Sequence, residues 1–371
     1  MQALAVDDQA LIEQVNNAKK EFITDGYSMS IGELLSMYKE EEIIIDPDFQ
    51  RAFRWSVTQQ TRFIESILIG VPIPSIFVFQ NANGKWEVVD GVQRLSTIFQ
   101  FVGVLKGKDK EGEDLKPTIL EDTKDLPFLK DMTWSKLPQK LQIDFKRDNR
   151  IEIKIIKYLS DKNAKFEVFQ RLNWATILSG QEYRNALLVM TNKAFYQWML
   201  GLSKYPNFQN CIRLSDKLLE EKYDQELVLR LFTFSLFDFR KGKVDDFINE
   251  AIFYEKDSLF DKIESKNFNL ENEKSKFERT FDLLLKAKGD SVFQKEGKGQ
   301  QFLESYFEAC AIGLYNNIDS YSENEVDLIK VKIDDLENQA GFTKYKEGGK
   351  GTNSESRIKS VIPFGKQYFE K

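Results

Sequence analysis

The spacing of apolar residues along this chain changes character near residue 160. Upstream, short alternating runs are interleaved with short helical ones. Ser30-Ile31-Gly32-Glu33 carries the Ser-x-x-Glu pattern of a capping box, in which hydroxyl and carboxylate each satisfy an open N–H, and predicts a helix to about Tyr38. Glu42 to Ile45 predicts a short strand. Ser56-Val57-Thr58-Gln59 repeats the capping pattern, and the helix behind it groups Phe63, Ile64, Ile67 and Leu68 on one side, with Pro72 as its stop. Ser75 to Gln80 and Lys85 to Val89 flank Asn83-Gly84, a turn dipeptide that tolerates the positive φ of tight hairpins. Asp90-Gly91 then leads into a helical run from Val92 to Val104, with Leu95, Ile98, Phe99 and Val102 at core spacing. Arg150 to Tyr158 alternates as a strand does, and the charged, glycine-containing stretch from Lys106 to Asp125 reads as a loop or hairpin.

From Asp161 onward the period turns helical. Ser179-Gly180-Gln181-Glu182 is a third capping box, leading into Tyr183 to Met190. Asp224 to Phe239 is strongly apolar; Val244 to Phe260, Leu270 to Ala287 and Gln300 to Leu314 are amphipathic. Lys344 to Ser356 is poor in apolar residues and predicts a mobile loop. At 371 residues the chain exceeds what one hydrophobic core usually serves, roughly 250–300 residues. The expected fold class is therefore α+β: a helical extension over 1–24, an α+β domain over 25–160 and an α-helical domain over 161–371.

Composition narrows the chemistry. The net charge of −6 excludes a globally basic nucleic-acid binder. The chain has 0 histidines, which removes Ser-His-Asp and Cys-His catalysis, His-ligated zinc and HNH-type nuclease sites. Any metal would be a hard, oxygen-liganded ion such as Mg²⁺. Cys211 and Cys310 have no ligand-like spacing and read as buried thiols in a reducing compartment. The first residues lack the basic start and apolar core of a signal peptide, and Pro72, Pro74 and Gln80 interrupt the uncharged stretch from Ser66 to Gly84. A cytoplasmic protein with no membrane partner is expected.

Three clusters could carry chemistry. Asp90-Gly91-Val92-Gln93-Arg94 lies where a strand hands over to a helix. There first-turn N–H groups attract anions, glycine admits a close phosphate, Arg94 offers a forked cation and Asp90 could hold a metal ion. Asp46-Pro47-Asp48-Phe49-Gln50-Arg51-Ala52-Phe53-Arg54-Trp55 suits a loop gripping a phosphorylated ligand, with Arg51 and Arg54 as clamps and Gln50 as a polar reader; equally, its aromatics could dock into the core. Phe169 to Asn173 is followed by Leu178 to Asn185, where Arg184 and Asn185 project from a helix start and could reach a ligand, although capping explains Glu182 as well. Asp224 to Arg230 reads as a charged helix opening. Lys350-Gly351-Thr352 with Arg357 lacks Walker A spacing.

Taken in order, Asp48-Phe49-Gln50-Arg51 with Trp55, then Gly70 to Pro74, then Asp90 to Thr97, resemble the DGQQR-motif family. This is the GmrS-type domain of bacterial phage-defence systems, also found at the N-terminus of SspE-like proteins. Phe169 to Asn173 and Leu178 to Asn185 resemble its later F-x-x-x-N and L-x-x-x-E-x-R-N segments, so the likeness spans about residues 25–190. It implies a ParB/sulfiredoxin-like fold and an NTPase: binding and hydrolysis of a nucleoside triphosphate with Mg²⁺, coupled to restriction of phage DNA. Asp90, Gly91, Gln93 and Arg94 match the motif as catalytic and nucleotide-binding positions, while Val92 replaces its first glutamine. Asp48 and Glu182 are candidates for a general base. Zero histidines exclude an intact HNH domain here, so any DNA cleavage would fall to another defence-system subunit or to a His-free site. Two other readings stand beside this one: a Mg²⁺-dependent DNA nickase built on carboxylates of the same cleft, and a non-catalytic DNA-binding or scaffold subunit. For the last, Lys106, Lys108, Lys110, Lys140, Lys146 and Arg147 offer a local basic surface.

Overall fold

In the computed structural model, residues 8–20, 23–46, 55–108, 113–157, 180–254, 257–294, 301–344 and 354–371 are described. Two units, Met1–Leu178 and Ser179–Lys371, separate by their internal contacts. The first begins with helix α1 (Asp8–Lys20) and strand β1 (Thr24–Ser30). Both predicted capping boxes in this unit form: Ser30 and Glu33 open α2 (Ile31–Lys39), and after strand β2 (Ile43–Ile44) Ser56 and Gln59 open α3 (Val57–Ile69). Each such cap is worth about 1 kcal/mol. Helix α3 stops at Gly70, ahead of the expected Pro72. The φ of Gly70, 89°, lets its N–H turn back to the carbonyls of Ser66 and Ile67, both at 3.1 Å.

The Asn83-Gly84 hairpin joins β3 (Ile76–Gln80) to β4 (Trp86–Asp90), which runs into α4 (Val92–Val102); α5 (Gln139–Arg147) and β5 (Arg150–Ile156) complete the unit. The five strands lie in the order β1-β5-β3-β4-β2. Strands β1 and β5 are antiparallel, β5 and β3 parallel, β3 and β4 antiparallel, and β4 and β2 parallel. Alternation in β5 buries Ile151, Ile153 and Ile155; Ile76, Val78 and Val88 of β3 and β4 and Leu95, Ile98 and Phe99 of α4 are buried as well. Each fully buried side chain of this size contributes roughly 1.5–3 kcal/mol.

The stretch after α4 is largely irregular, with an isolated bridge between Lys108 and Asp114. It is held by polar residues that α3 turns inward. Gln60 Oε1 accepts from Thr118 Oγ1 at 2.8 Å, Thr61 Oγ1 from the N–H of Glu121 at 3.1 Å, and Glu65 Oε1 from the N–H of Leu126 at 3.0 Å. Helical periodicity predicted only the apolar side of α3. Its buried amide and carboxylate serve a loop that no helical spacing reveals. Strand β1 and helix α5 also escaped the sequence reading, since Thr24 to Ser30 carries little apolar alternation and Gln139 to Arg147 only a narrow apolar stripe.

The second unit is helical. Helix α6 (Gly180–Thr191) opens it, and α7 (Tyr223–Leu236) runs through its middle with every residue from Asp224 to Phe234 buried. Phe232 is wholly buried, with Trp198, Phe268, Phe277 and Tyr315 rings packed around it at centroid distances of 5.1–6.1 Å. The expected helix over 270–287 forms as α8 (Leu270–Lys288). Those expected over 244–260 and 300–314 are broken by π-helical turns, Glu250–Tyr254 and Phe307–Ala311. The chain ends in α9 (Ser354–Tyr368). Ser179 of the third capping box, the 345–353 stretch of the expected mobile loop and the boundary expected at residue 160 lie outside the described residues. Among the described residues no helix is long and apolar enough to cross a membrane.

Candidate functional site

Strand β4 delivers Asp90 to the end of the sheet, and Gly91 turns the chain into α4. Gly91 has φ 92°, a left-handed conformation that a side chain resists, and a Cβ there would stand 2.7 Å from Cγ1 of Ile76. Glycine is required twice over. It caps α4 with no side-chain hydrogen bond, so the first-turn N–H groups are not closed by their own cap.

Arg94 ties the turn together. Its Nη2 meets Asp90 Oδ2 at 2.6 Å, and its Nη1 donates to the carbonyls of Pro74 at 2.6 Å and Ser75 at 2.9 Å, just before β3 begins. Three of the five guanidinium N–H donors are thereby engaged. The side chains of Arg94 and Asp90 are 14% and 28% exposed, so the pair is partly open to a ligand. Gln93 accepts at Oε1 from the N–H of Trp55 at 3.0 Å, while its Nε2 is buried with no hydrogen-bond partner among the described residues. The Pro74, Ser75 and Trp55 contacts were not legible beforehand; their only sequence signal is that Trp55 and Gly70 to Pro74 sit in the resembling motifs.

Gln50, Arg51, Arg54 and Asp48 lie outside the described residues. The flanks of their segment are described. Strand β2 runs parallel to β4, pairing Ile43 with Trp86 and Ile44 with Glu87, so the chain leaves the sheet in the direction in which β4 reaches Asp90. It is described again at Trp55, hydrogen-bonded to Gln93. The described residues contain no group of three or more Asp, Glu, Cys or His side chains placed to hold a metal ion. With Asp90 the carboxylate that the described residues place at this turn, a cation here would draw further ligands from phosphate oxygens and water.

Arg184 and Asn185 belong to a different construction, inside the helical unit. Arg184 is fully buried: Nη2 pairs with Glu226 at 2.7 Å, Nη1 with Asp245 at 2.8 Å, and Nε donates to Gln181 at 2.8 Å. Asn185 is bonded to Gln181 at 2.8 Å and Gln225 at 2.6 Å. These side chains, expected at a ligand, hold α6 to α7. The network continues through Arg230, 2.7 Å from Glu226, to Glu304, which also receives Tyr223 Oη and Arg357; Arg357 reaches Glu308 at 2.8 Å. Burial pushes the Glu308 carboxyl up despite Arg357. Burial acts the same way on Glu304, but Arg230 and Arg357 hold it below the usual range. The Asp224 to Arg230 stretch, expected as a charged helix opening, does open α7 and is buried, because distant helices supply partners for its charges.

The sheet unit is an α+β domain built around a strand-glycine-helix turn with paired Asp and Arg. Residues 31–189 match the family model of the GmrSD restriction endonuclease, N-terminal domain, so this part of the chain is similar to that phage-restriction domain family. The match includes both the Asp90 to Arg94 turn and Arg184-Asn185. Comparison with curated proteins finds none that matches the chain.

Proposed function

We propose that the chain is an anti-phage defence component that binds, and with Mg²⁺ hydrolyses, a nucleoside triphosphate at the Asp90 to Arg94 turn. The carrying observation is Gly91: a left-handed cap with no room for a Cβ, in front of a helix whose first turn its cap leaves open. Phosphate oxygens would lie on those N–H groups, where the helix dipole favours negative charge. Asp90 and two carbonyls fix the Arg94 fork beside them, and the unpartnered Gln93 amide offers a further donor. Gln50, Arg51 and Arg54 would join from the segment that precedes Trp55, whose N–H donates to Gln93. Mg²⁺ would enter on the triphosphate, with Asp90 as its protein ligand, and supply charge neutralisation. The ParB/sulfiredoxin-like reading of the sheet rests on the resemblance of the Asp48 to Arg51 and Asp90 to Thr97 motifs. With 0 histidines in this sequence, DNA cleavage would fall to a partner subunit or to a His-free site. The nickase reading needs grouped carboxylates, and the described residues offer none at the turn.

The test is Mg²⁺-dependent hydrolysis of ATP, GTP, CTP and UTP by the purified chain, with thermal shift as the binding readout. A ligand at 100 times its Kd stabilises by about 2.7 kcal/mol. Arg94→Ala and Asp90→Asn should lose turnover while remaining folded. A wild-type protein with neither turnover nor nucleotide-dependent stabilisation refutes the proposal.

A further inference from the structure

A cleft of about 540 Å³ lies in the sheet unit between the start of α3, helix α4 and the stretch that follows α4. That volume falls in the range of small-molecule sites, roughly 300–1,000 Å³. Trp55 lines one wall, and its backbone N–H donates to Gln93 Oε1 at 3.0 Å, so this wall is bonded directly to the Asp90 to Arg94 turn. Gln100, another lining residue, follows Gln93 on the same face of α4, two turns and about 10 Å further on. One face of α4 thus carries Gln93 at the turn and Gln100 in the cleft.

The walls are set before any ligand arrives. Gln60, 5% exposed, joins two of them: its Nε2 donates to the carbonyl of Trp55 at 3.2 Å, and its Oε1 accepts from Thr118 Oγ1 at 2.8 Å. Gln100 Nε2 donates to the carbonyl of Lys116 at 3.1 Å, and Thr58 Oγ1 donates to Glu121 Oε2 at 2.6 Å. Phe63 meets the Trp55 ring edge to face at a centroid distance of 5.3 Å. Walls held in this way lower the ordering cost of binding. Between them, Val57 and Ile119 leave apolar side chains 44% and 57% exposed.

Charge selects the occupant. Lys116 and Lys130 line the cleft together with Glu121, Asp122 and Asp131, an excess of negative charge that disfavours an anionic group. An indole ring, exposed aliphatic side chains and both donors and acceptors suit a flat, neutral heterocycle. We propose that the cleft is the nucleobase subsite of the nucleotide whose phosphates lie on the Asp90 to Arg94 turn, with the base stacked on Trp55 and packed against Val57 and Ile119. The two ends of the ligand are then sorted by charge. The triphosphate goes to Arg94 and the open first turn of α4, and the uncharged base goes to the acidic cleft. This inference rests on the nucleotide reading of the turn and adds to it the place where the base is held.

Calorimetric titration of the full chain with Mg²⁺ and ATP, GTP, CTP, UTP or inorganic tripolyphosphate tests it, since tripolyphosphate has the phosphates without the base. At least one nucleoside triphosphate should bind at least about tenfold tighter than tripolyphosphate. Trp55→Ala should weaken that nucleotide by about 5- to 150-fold, the range that losing one base–aromatic stack produces, while Trp55→Phe keeps most of the affinity. Val57→Ser with Ile119→Ser should weaken it by at least about fivefold. Both of these side chains are half-exposed, so the fold is kept, and circular dichroism verifies it. None of the variants should change tripolyphosphate binding. If nucleotides bind no tighter than tripolyphosphate, or if the variants spare the nucleotide or weaken both ligands alike, the turn remains a phosphate site and the base subsite is overturned. If neither ligand binds the wild type, the nucleotide reading itself fails and this inference fails with it.

Discussion

Replacing Arg184 with methionine keeps much of its apolar stem and deletes a guanidinium that bonds Glu226, Asp245 and Gln181 at 2.7–2.8 Å. Removing one member of a buried ion pair generally costs about 3–5 kcal/mol, because the partner left behind is neither solvated nor neutralised. Two features of the site pull the value toward the lower bound. Glu226 retains Arg230 at 2.7 Å, and Asp245, whose side chain is 55% exposed, returns to water. A loss of about 3 kcal/mol from the helical unit corresponds to a Tm lower by roughly 6–12 °C for a domain of this size. Thermal and urea unfolding followed by circular dichroism at helical wavelengths measure it. A nucleotide titration of the same variant separates structural from ligand-binding roles: the stabilisation by nucleotide should be unchanged. A loss below about 1 kcal/mol refutes the buried-network reasoning. So does a variant of wild-type stability that no longer responds to nucleotide, since Arg184 would then be a ligand residue.

Other outcomes follow from the same structure. Gly91→Ala combines left-handed strain with a contact on Ile76 and should cost about 2–5 kcal/mol, whereas Gly70→Ala, also at positive φ but with open space around it, should cost only ~1–2 kcal/mol. Equal losses at the two positions would show that the Ile76 contact is harmless. Glu325 accepts from Lys371 and from the N–H of Ser322, which lowers its pKa from 4.5 to about 2. Because the folded value is the depressed one, its contribution is present above about pH 4.5 and is lost as pH falls toward about 2. Glu325→Gln should flatten the acid limb of the stability curve in that window alone, and a carboxyl resonance titrating near 4.5 in the native protein would contradict the assignment.

Most of the sheet unit was legible because its signals are local. Capping boxes act over three residues, the Asn83-Gly84 turn over two, and the Asp90-Gly91 junction shows as a glycine between a strand pattern and a helix pattern. Those spacings predicted the caps of α2 and α3, the hairpin, α4 and β5. They also singled out Asp90 and Arg94, an i to i+4 pair on one helix start that the structure closes at 2.6 Å.

What the sequence by itself determined is where such short-range satisfaction occurs and which residue types stand at the turn. The tertiary structure decided which charges are buried and with whom. Arg184 meets Glu226 across 42 positions and Asp245 across 61, and Arg357 meets Glu308 across 49. No periodicity encodes such pairings, so Arg184 and Asn185 read as ligand residues and Asp224 to Arg230 only as a charged helix opening. The same holds for Gln60 and Glu65, buried on α3 because a loop some 60 positions away supplies their partners. Burying a polar group costs about 1–3 kcal/mol unless a partner replaces water, and that partner comes from folding, which brings distant segments together.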